Sequence, residues 1–229
     1  MITRCLVVPA LVAALAVPAM TAGPPQNGEA ARIRESATVF SEIMDAPDKA
    51  IARSVLEKAE AIAVFPGTLK GGFIVGGHRG RGIISVHDRT TGRWSPPAFL
   101  TLTGASFGAQ IGGEAVDLVL VVMNRRGLEN LLRNQFKLGA DAAVAAGPVG
   151  RDAEASTDIQ MRAEILSYSR ARGLFAGVTL KGSSIAQDRD ANERFYGAAH
   201  RSRDIVLDGR AAPKPPVGDW LAVLRRYAG

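Results

Sequence analysis

The sequence predicts an α+β fold: a curled, mainly antiparallel β-sheet or barrel-like sheet, with N-terminal and intervening helices packed on it. Three observations carry this. Ile33, Ala37, Phe40 and Met44 recur at spacings of three and four, the period of one helix face. After Gly67 the texture changes to short runs of Ile, Val, Phe and Thr punctuated by glycine, a strand signature. The run "AVDLVLVVM" is apolar almost throughout, as a strand buried on both faces should be. A chain of 229 residues supports one core of ordinary size, so a single domain with short appendages is expected.

Taken in order, Arg4 precedes the apolar run "CLVVPALVAALAV" and small-residue sites that allow cleavage after Ala19 or Ala22. The run is too short for a spanning helix, which needs about 20 residues, and fits the core of a secretory signal over residues 1–22. Export to the periplasm or medium is therefore expected, with an uncleaved anchor as the alternative. Cys5, the only cysteine, falls inside that signal, so no disulfide is expected afterwards. Residues 23–29 read as a flexible tether, 30–210 as the domain, and 211–229 as a Pro-rich spacer with a short amphipathic helix.

Within the domain, "DAPDKAIARSVLEKAEAIAVFP" is expected to form a second helix, capped by Asp45, started by Pro47 and stopped by Pro66 and Gly67. "GGFIVGG", "GIISVHD", "AFLTLTGASFGAQIGG" and "AVDLVLVVM" follow as strands, with "DRTTGRW" as a hairpin turn. "NRRGLENLLRNQFKLG" returns to helical spacing, with Asn124 as cap and Gly139 as terminator. "ADAAVAAGPVG", "AEILSYSRA" and "GLFAGVTLKGSSIAQD" make a second set of strands, and "DANERFYG" a short helix or turn. Trp220, Leu221, Leu224 and Tyr227 share one side of the last helix, which docks on its own domain or lies on a membrane surface.

The basic, glycine-rich stretch from Lys70 to Asp88 invites a phosphate-loop reading, and that reading fails. A Walker loop needs Lys-Ser/Thr after its last glycine, whereas Ile83 and Ile84 follow Gly82. No glycine triplet sits between a strand and a helix, which excludes the dinucleotide pattern. The stretch is expected instead to be two strands joined by the turn "GGHRGRG". His78, His87 and His200 are scattered, so neither a metal site nor a cofactor is expected. Ser106 in "GASFG" lacks the nucleophile elbow. Asp117, alone in an apolar strand, invites an acid–base role, although strand carboxylates are normally satisfied by backbone or hydroxyl donors. No catalytic residue is assigned.

Charge is segregated. The net charge of +6 falls by one with Arg4, and such a surplus favours anionic partners of several kinds. From Lys70 to Arg93 the only acid is Asp88, whereas Trp94 to Asn124 holds no Lys or Arg. Arg79, Arg81, Arg89 and Arg93 fall on one expected hairpin, where each is worth about 1 kcal/mol at an anionic surface. The alternative is a solvated hairpin end.

The motifs "AIAVFPG", "KGGFIVGG", "RWSPPAFLTLTGASFGAQIGG", "DLVLVVMNRRGLENLL", "ADAAVAAGPVGRDA", "ILSYSRARGLFAGVTLKGSSI" and "NERFYG" occur in the order of the SYLF domain, which this chain resembles from about residue 30 to 210. The resemblance implies a compact α+β lipid-binding module related to yeast actin-patch proteins, and no shared catalytic motif. It implies that an anionic phospholipid or phosphoinositide is the partner, with a protein partner also possible and no nucleic acid. On this chain the basic positions expected to meet head groups are Lys70, Arg79, Arg81, Arg93, Arg172 and Lys181. Trp220, Leu221 and Leu224 are expected to supply membrane contact.

Overall fold

The computed structural model describes residues 28–46, 51–71, 75–107, 114–149, 163–171, 174–175, 180 and 182–229. The expected signal, and the tether as far as residue 27, lie outside them. The helices are α1 (Glu29–Met44), α2 (Arg53–Leu56), α3 (Arg125–Leu131), α4 (Arg189–Tyr196), α5 (Ser202–Val206) and α6 (Val217–Ala228). The long strands are β1 (Ala61–Gly71), β2 (Val75–Asp88), β4 (Ala98–Phe107), β5 (Glu114–Val122) and β8 (Ile165–Ala171). Short strands β3 (Arg93–Trp94), β6 (Gln135–Lys137), β7 (Val144–Ala146), β9 (Leu174–Phe175) and β10 (Ser184–Gln187) complete the described set.

The strands form one curled half-barrel sheet in the order β6-β10-β4-β2-β1-β5-β8-β7, with β3 paired to β2 and β9 to β8. Every described ladder is antiparallel except β7 with β8. The α+β expectation therefore stands. In the centre both faces are covered: Ala61 to Phe65 in β1 and Val119 to Val122 in β5 have no exposed surface. A strand buried on both faces reads as a continuous apolar run, which is how "AVDLVLVVM" announces itself.

The same property overturns one expected helix. "AIAVF" continues the apolar pattern of the segment before it, but it is β1, hydrogen-bonded to β2 on one side and β5 on the other. Among the described residues of that segment only Arg53–Leu56 is helical. Asp45 closes α1, and residues 47–50 lie outside the described set. A short apolar run cannot be assigned by periodicity alone, and here pairing on both edges decides.

Three further elements differ. The helix capped by Asn124, whose side chain accepts from the Gly127 amide at 2.8 Å, stops at Leu131, and Gln135–Lys137 becomes an edge strand on β10. "GGHRGRG" is not a turn: Gly76 to Gly82 lie within β2, paired to β4 along their whole length. Ser202–Val206 forms a helix that no periodicity marked. The "DRTTGRW" turn forms as expected, with the Asp88 carboxylate accepting from the Thr90 amide at 2.9 Å and the Thr91 hydroxyl at 2.7 Å.

Helix α1 is held against the sheet by α6. Trp220 is fully buried; its indole N–H donates to Ser85 Oγ of β2 at 2.9 Å, and its ring meets Phe40 of α1 edge to face at 5.9 Å. Tyr227 donates to Asp45 at 2.6 Å, and Trp94 of β3 donates to the Ala228 carbonyl at 3.3 Å. This corrects the expected membrane contact. Trp220 and Leu224 have no exposed surface and Leu221 is half-buried against the core, because the apolar side of α6 is spent on α1 and β2.

Two outcomes follow from this packing. Replacing Trp220 by alanine lowers stability by about 3–5 kcal/mol, the usual cost of emptying a fully buried indole site, read as a shift of the urea midpoint. The Thr91 hydroxyl, then the Thr90 amide, hold the Asp88 carboxyl below its usual range. Its contribution is therefore present above the unfolded-state carboxylate pKa and lost as pH falls through the lower folded one. Thr91→Val moves the Asp88 titration back upward in a carboxyl-carbon NMR series.

Candidate functional site

Strand β2 alternates strictly where it carries arginine. Gly77, Arg79 and Arg81 are exposed, while His78, Gly80 and Gly82 are buried. At position 82 the inner side has no room for a side chain: a Cβ on Gly82 would sit 2.2 Å from the Val64 carbonyl oxygen and 2.6 Å from the Phe65 ring. Gly82 on the inner face and the arginines on the outer one thus have separate settings, close backbone approach within and solvent exposure without.

Opposite Arg81 the ladder breaks register. Val64 pairs with Ile83 and Leu69 with Arg79, which leaves one extra residue on β1. On the other edge Phe65 pairs with Leu118 and Thr68 with Val116, so Pro66 and Gly67 together face Asp117. This is a β-bulge, the place where a strand tolerates proline. Gly67 has φ of 52°, a left-handed conformation that glycine adopts without steric cost. Its N–H is turned out of the ladder and donates to Asp117 Oδ1 at 2.9 Å.

The N-terminal half of α1 crosses above the bulge. Arg32, Glu35, Pro66, Gly67, Arg79 and Arg81 line a cleft of about 360 Å³. A second groove of about 530 Å³ continues from it along α1, past Thr38 and Val39 to Asp117. Arg32 is buried, its Nη1 2.9 Å from Asp188 Oδ2 and its Cζ 5.1 Å from the Phe99 ring centre. Burial lowers its pKa, Asp188 opposes that, and the Arg81 guanidinium pushes it lower still. Arg79 and Arg81 make no ion pair or side-chain hydrogen bond among the described residues, so the cleft carries two uncommitted guanidinium groups and one carboxylate, Glu35.

Asp117 is not an acid–base catalyst in waiting. Besides Gly67 it holds Arg170 of β8 at 3.3 Å, and Arg170 also pairs with Glu42 of α1. Burial works against the Arg170 charge, but Glu42 and Asp117 outweigh it and raise its pKa. His87 is stacked on Trp94 with ring centres 4.7 Å apart. A histidine–serine contact that sequence reasoning missed, His78 Nε2 to Ser183 Oγ at 2.8 Å, is buried on both sides and offers a substrate no access. Among the described residues no cluster of three metal-ligating side chains occurs and no helix is long and apolar enough to cross a membrane.

The expected basic set does not form one patch. Arg79 and Arg81 are adjacent on one face, but Arg93 pairs with Asp88 at the far end of β2. Asp88 lies seven residue steps along the strand from Arg81, roughly 23 Å at about 3.3 Å per residue. Arg89, beside Arg93, is committed to Glu60 at 3.4 Å and the Glu57 carbonyl at 3.0 Å. Lys70 lies in β1 opposite His78 and Glu114, with its side chain outside the described set, and Arg172 and Lys181 lie outside it altogether. Arg32, Gly67 and Arg170 were missed. Arg32 had a signal, since it falls in helical phase with Ser36, Val39 and Ile43 on the buried side of α1.

Comparison with known proteins shows which family the chain falls in. The family profile described as "Ysc84: Las17-binding protein actin regulator" matches residues 103–227. LAS seventeen-binding protein 3 of Saccharomyces cerevisiae is 34% identical over 206 residues, covering 89% of this chain and 44% of the yeast protein. The chain belongs to the Ysc84, or SYLF, family. SH3 domain-containing YSC84-like protein 1 of Homo sapiens is 34% identical over 190 residues, 82% of this chain and 55% of the human protein. The Xenopus laevis protein of that name is 35% identical over 173 residues, 75% and 51%. The chain thus spans about half the length of the SYLF relatives it matches, and the family's description is that of a binding regulator.

Gly82→Ala tests the packing beneath the arginines. Its Cβ meets a backbone oxygen that cannot rotate away, so stability falls by about 1–3 kcal/mol, measured as a drop in Tm by circular dichroism.

Proposed function

We propose that this SYLF chain is a non-enzymatic module that binds anionic lipid head groups, phosphoinositide-like phosphates included, peripherally at a membrane surface outside the cytoplasm. The observation that supports this best is the pair Arg79 and Arg81, exposed and uncommitted beside a cleft that Arg32 closes from above. Guanidinium suits phosphate because its planar fork donates two parallel N–H bonds to adjacent oxygens. Asp188 already balances Arg32, which leaves Arg79 and Arg81 to face a ligand against Glu35 alone. The cleft has the volume of a small polar group's site. Attachment through two arginines, at about 1 kcal/mol each on an anionic surface, is weak and reversible. The apolar run after Arg4 supports the exported location.

A second reading has its own support in the relatives named as Las17-binding proteins: an acidic protein surface meeting the same two arginines. Vesicle flotation separates the two. With the full chain and phosphatidylcholine vesicles with or without phosphatidylglycerol, the acidic-minus-neutral difference cancels any insertion of the N-terminal apolar run. Wild type partitions to acidic vesicles and is released by salt. Arg79→Glu with Arg81→Glu lowers that difference by on the order of 30-fold or more. Equal recovery with both vesicles, unchanged by the double reversal, overturns the lipid reading. Salt-sensitive, arginine-dependent capture of a protein without acidic-vesicle binding favours the second.

A further inference from the structure

From the bulge geometry we infer that Asp117 is a positioning residue for the head-group cleft, acting through the backbone of β1; this rests on the lipid reading of Arg79 and Arg81. Asp117 and Arg81 face the same two-residue bulge from opposite edges, one on β5 and one on β2. Of the bulge residues, Pro66 has no N–H, and the Gly67 N–H ends on Asp117 Oδ1. That single hydrogen bond holds the extra residue of β1 in place beside Arg81. Thr68, which closes the bulge by donating to the Phe65 carbonyl at 3.3 Å, is buried and fixed. Asp117 is itself oriented by Arg170, which Glu42 ties to α1, the helix that forms the roof of the cleft. Floor and roof are thus referred to one carboxylate.

Asp117 lines the groove that continues from the cleft, so removing its negative charge should by Coulomb attraction alone tighten anion binding. The loss of Asp117 also releases Arg170 from one partner, which pushes the same way. Only a positioning role makes Asp117→Ala bind acidic vesicles more weakly. Asp117→Asn keeps an oxygen acceptor for the Gly67 N–H without the charge, and it is expected to bind at least as well as wild type.

Flotation of the full chain on phosphatidylcholine vesicles with and without phosphatidylglycerol, with circular dichroism confirming each fold, reads all arms. The expected result is a roughly tenfold smaller acidic-specific partition for Asp117→Ala, the scale of one hydrogen bond to a charged group, with Asp117→Asn restoring it. Unchanged or tighter binding by folded Asp117→Ala overturns the inference, as does equal weakening by Asp117→Asn. If Asp117→Ala does not fold, Gly67→Ala decides. It leaves every charge in place and strains the left-handed bulge position, so weaker binding by the folded variant supports the role and unchanged binding overturns it. Wild type that ignores acidic lipid removes the lipid reading and this inference together. Acidic-specific binding by wild type that Asp117→Ala retains removes the inference alone.

Discussion

The Ala61–Phe65 part of strand β1 is hydrogen-bonded on both edges and buried on both faces, and this double enclosure constrains everything around it. A strand so enclosed cannot slide, because a one-residue slip would exchange its two faces. Its one irregularity is therefore local and expensive to move. The Pro66–Gly67 bulge bends the strand under α1, and the neighbours adapt to it: Gly82 yields its side-chain volume, and Asp117 supplies the acceptor that the ladder cannot. The cleft lies between the bulge residues Pro66 and Gly67 and the α1 residues Arg32 and Glu35 above them.

Helix α1 is kept over the bulge by two different kinds of interaction. Apolar packing on Trp220, Phe40 and Ile43 supplies most of the energy, since fully burying each such side chain is worth about 1.5–3 kcal/mol. The ion pairs contribute less to stability and more to orientation. Arg32 with Asp188 and Arg170 with Glu42 and Asp117 bind two different levels of the helix to two different strands or their ends. Asp188 also caps α4 by accepting from the Ala191 amide at 3.2 Å, so the fixed partner of Arg32 is itself fixed by the chain. Charges that are paired this way are unavailable to a ligand, which is why Arg79 and Arg81 on β2, unpaired among the described residues, stand out.

Much of the fold was legible in sequence, and the failures share a cause. The strands β4, β5 and β8, the first helix, the Asn124 cap and the Asp88 turn were all written in local pattern, because periodicity, capping side chains and turn residues act over a few positions. The "AIAVF" strand, the truncated helix after Asn124 and the strand character of "GGHRGRG" were not. Each has a local preference that is ambiguous or misleading, and pairing with residues far away in sequence settles it. Trp220 shows the same limit: an amphipathic helix advertises an apolar face but not what covers it.

For the site, the sequence by itself determined that Arg79 and Arg81 belong to a basic, glycine-rich segment with no nucleotide, metal or nucleophile motif. It also determined that the chain resembles SYLF domains, a membership the comparisons bear out. Only the tertiary structure decided which cations stay free. It separated Arg93 from Arg81 by most of a strand, committed Arg89 to Glu60, brought Arg32 from another element to the same cleft, and turned Asp117 from a suspected acid into the acceptor of a bulge amide. Composition counts charges, but whether a charge meets a partner or solvent depends on distances between residues that the fold alone brings together.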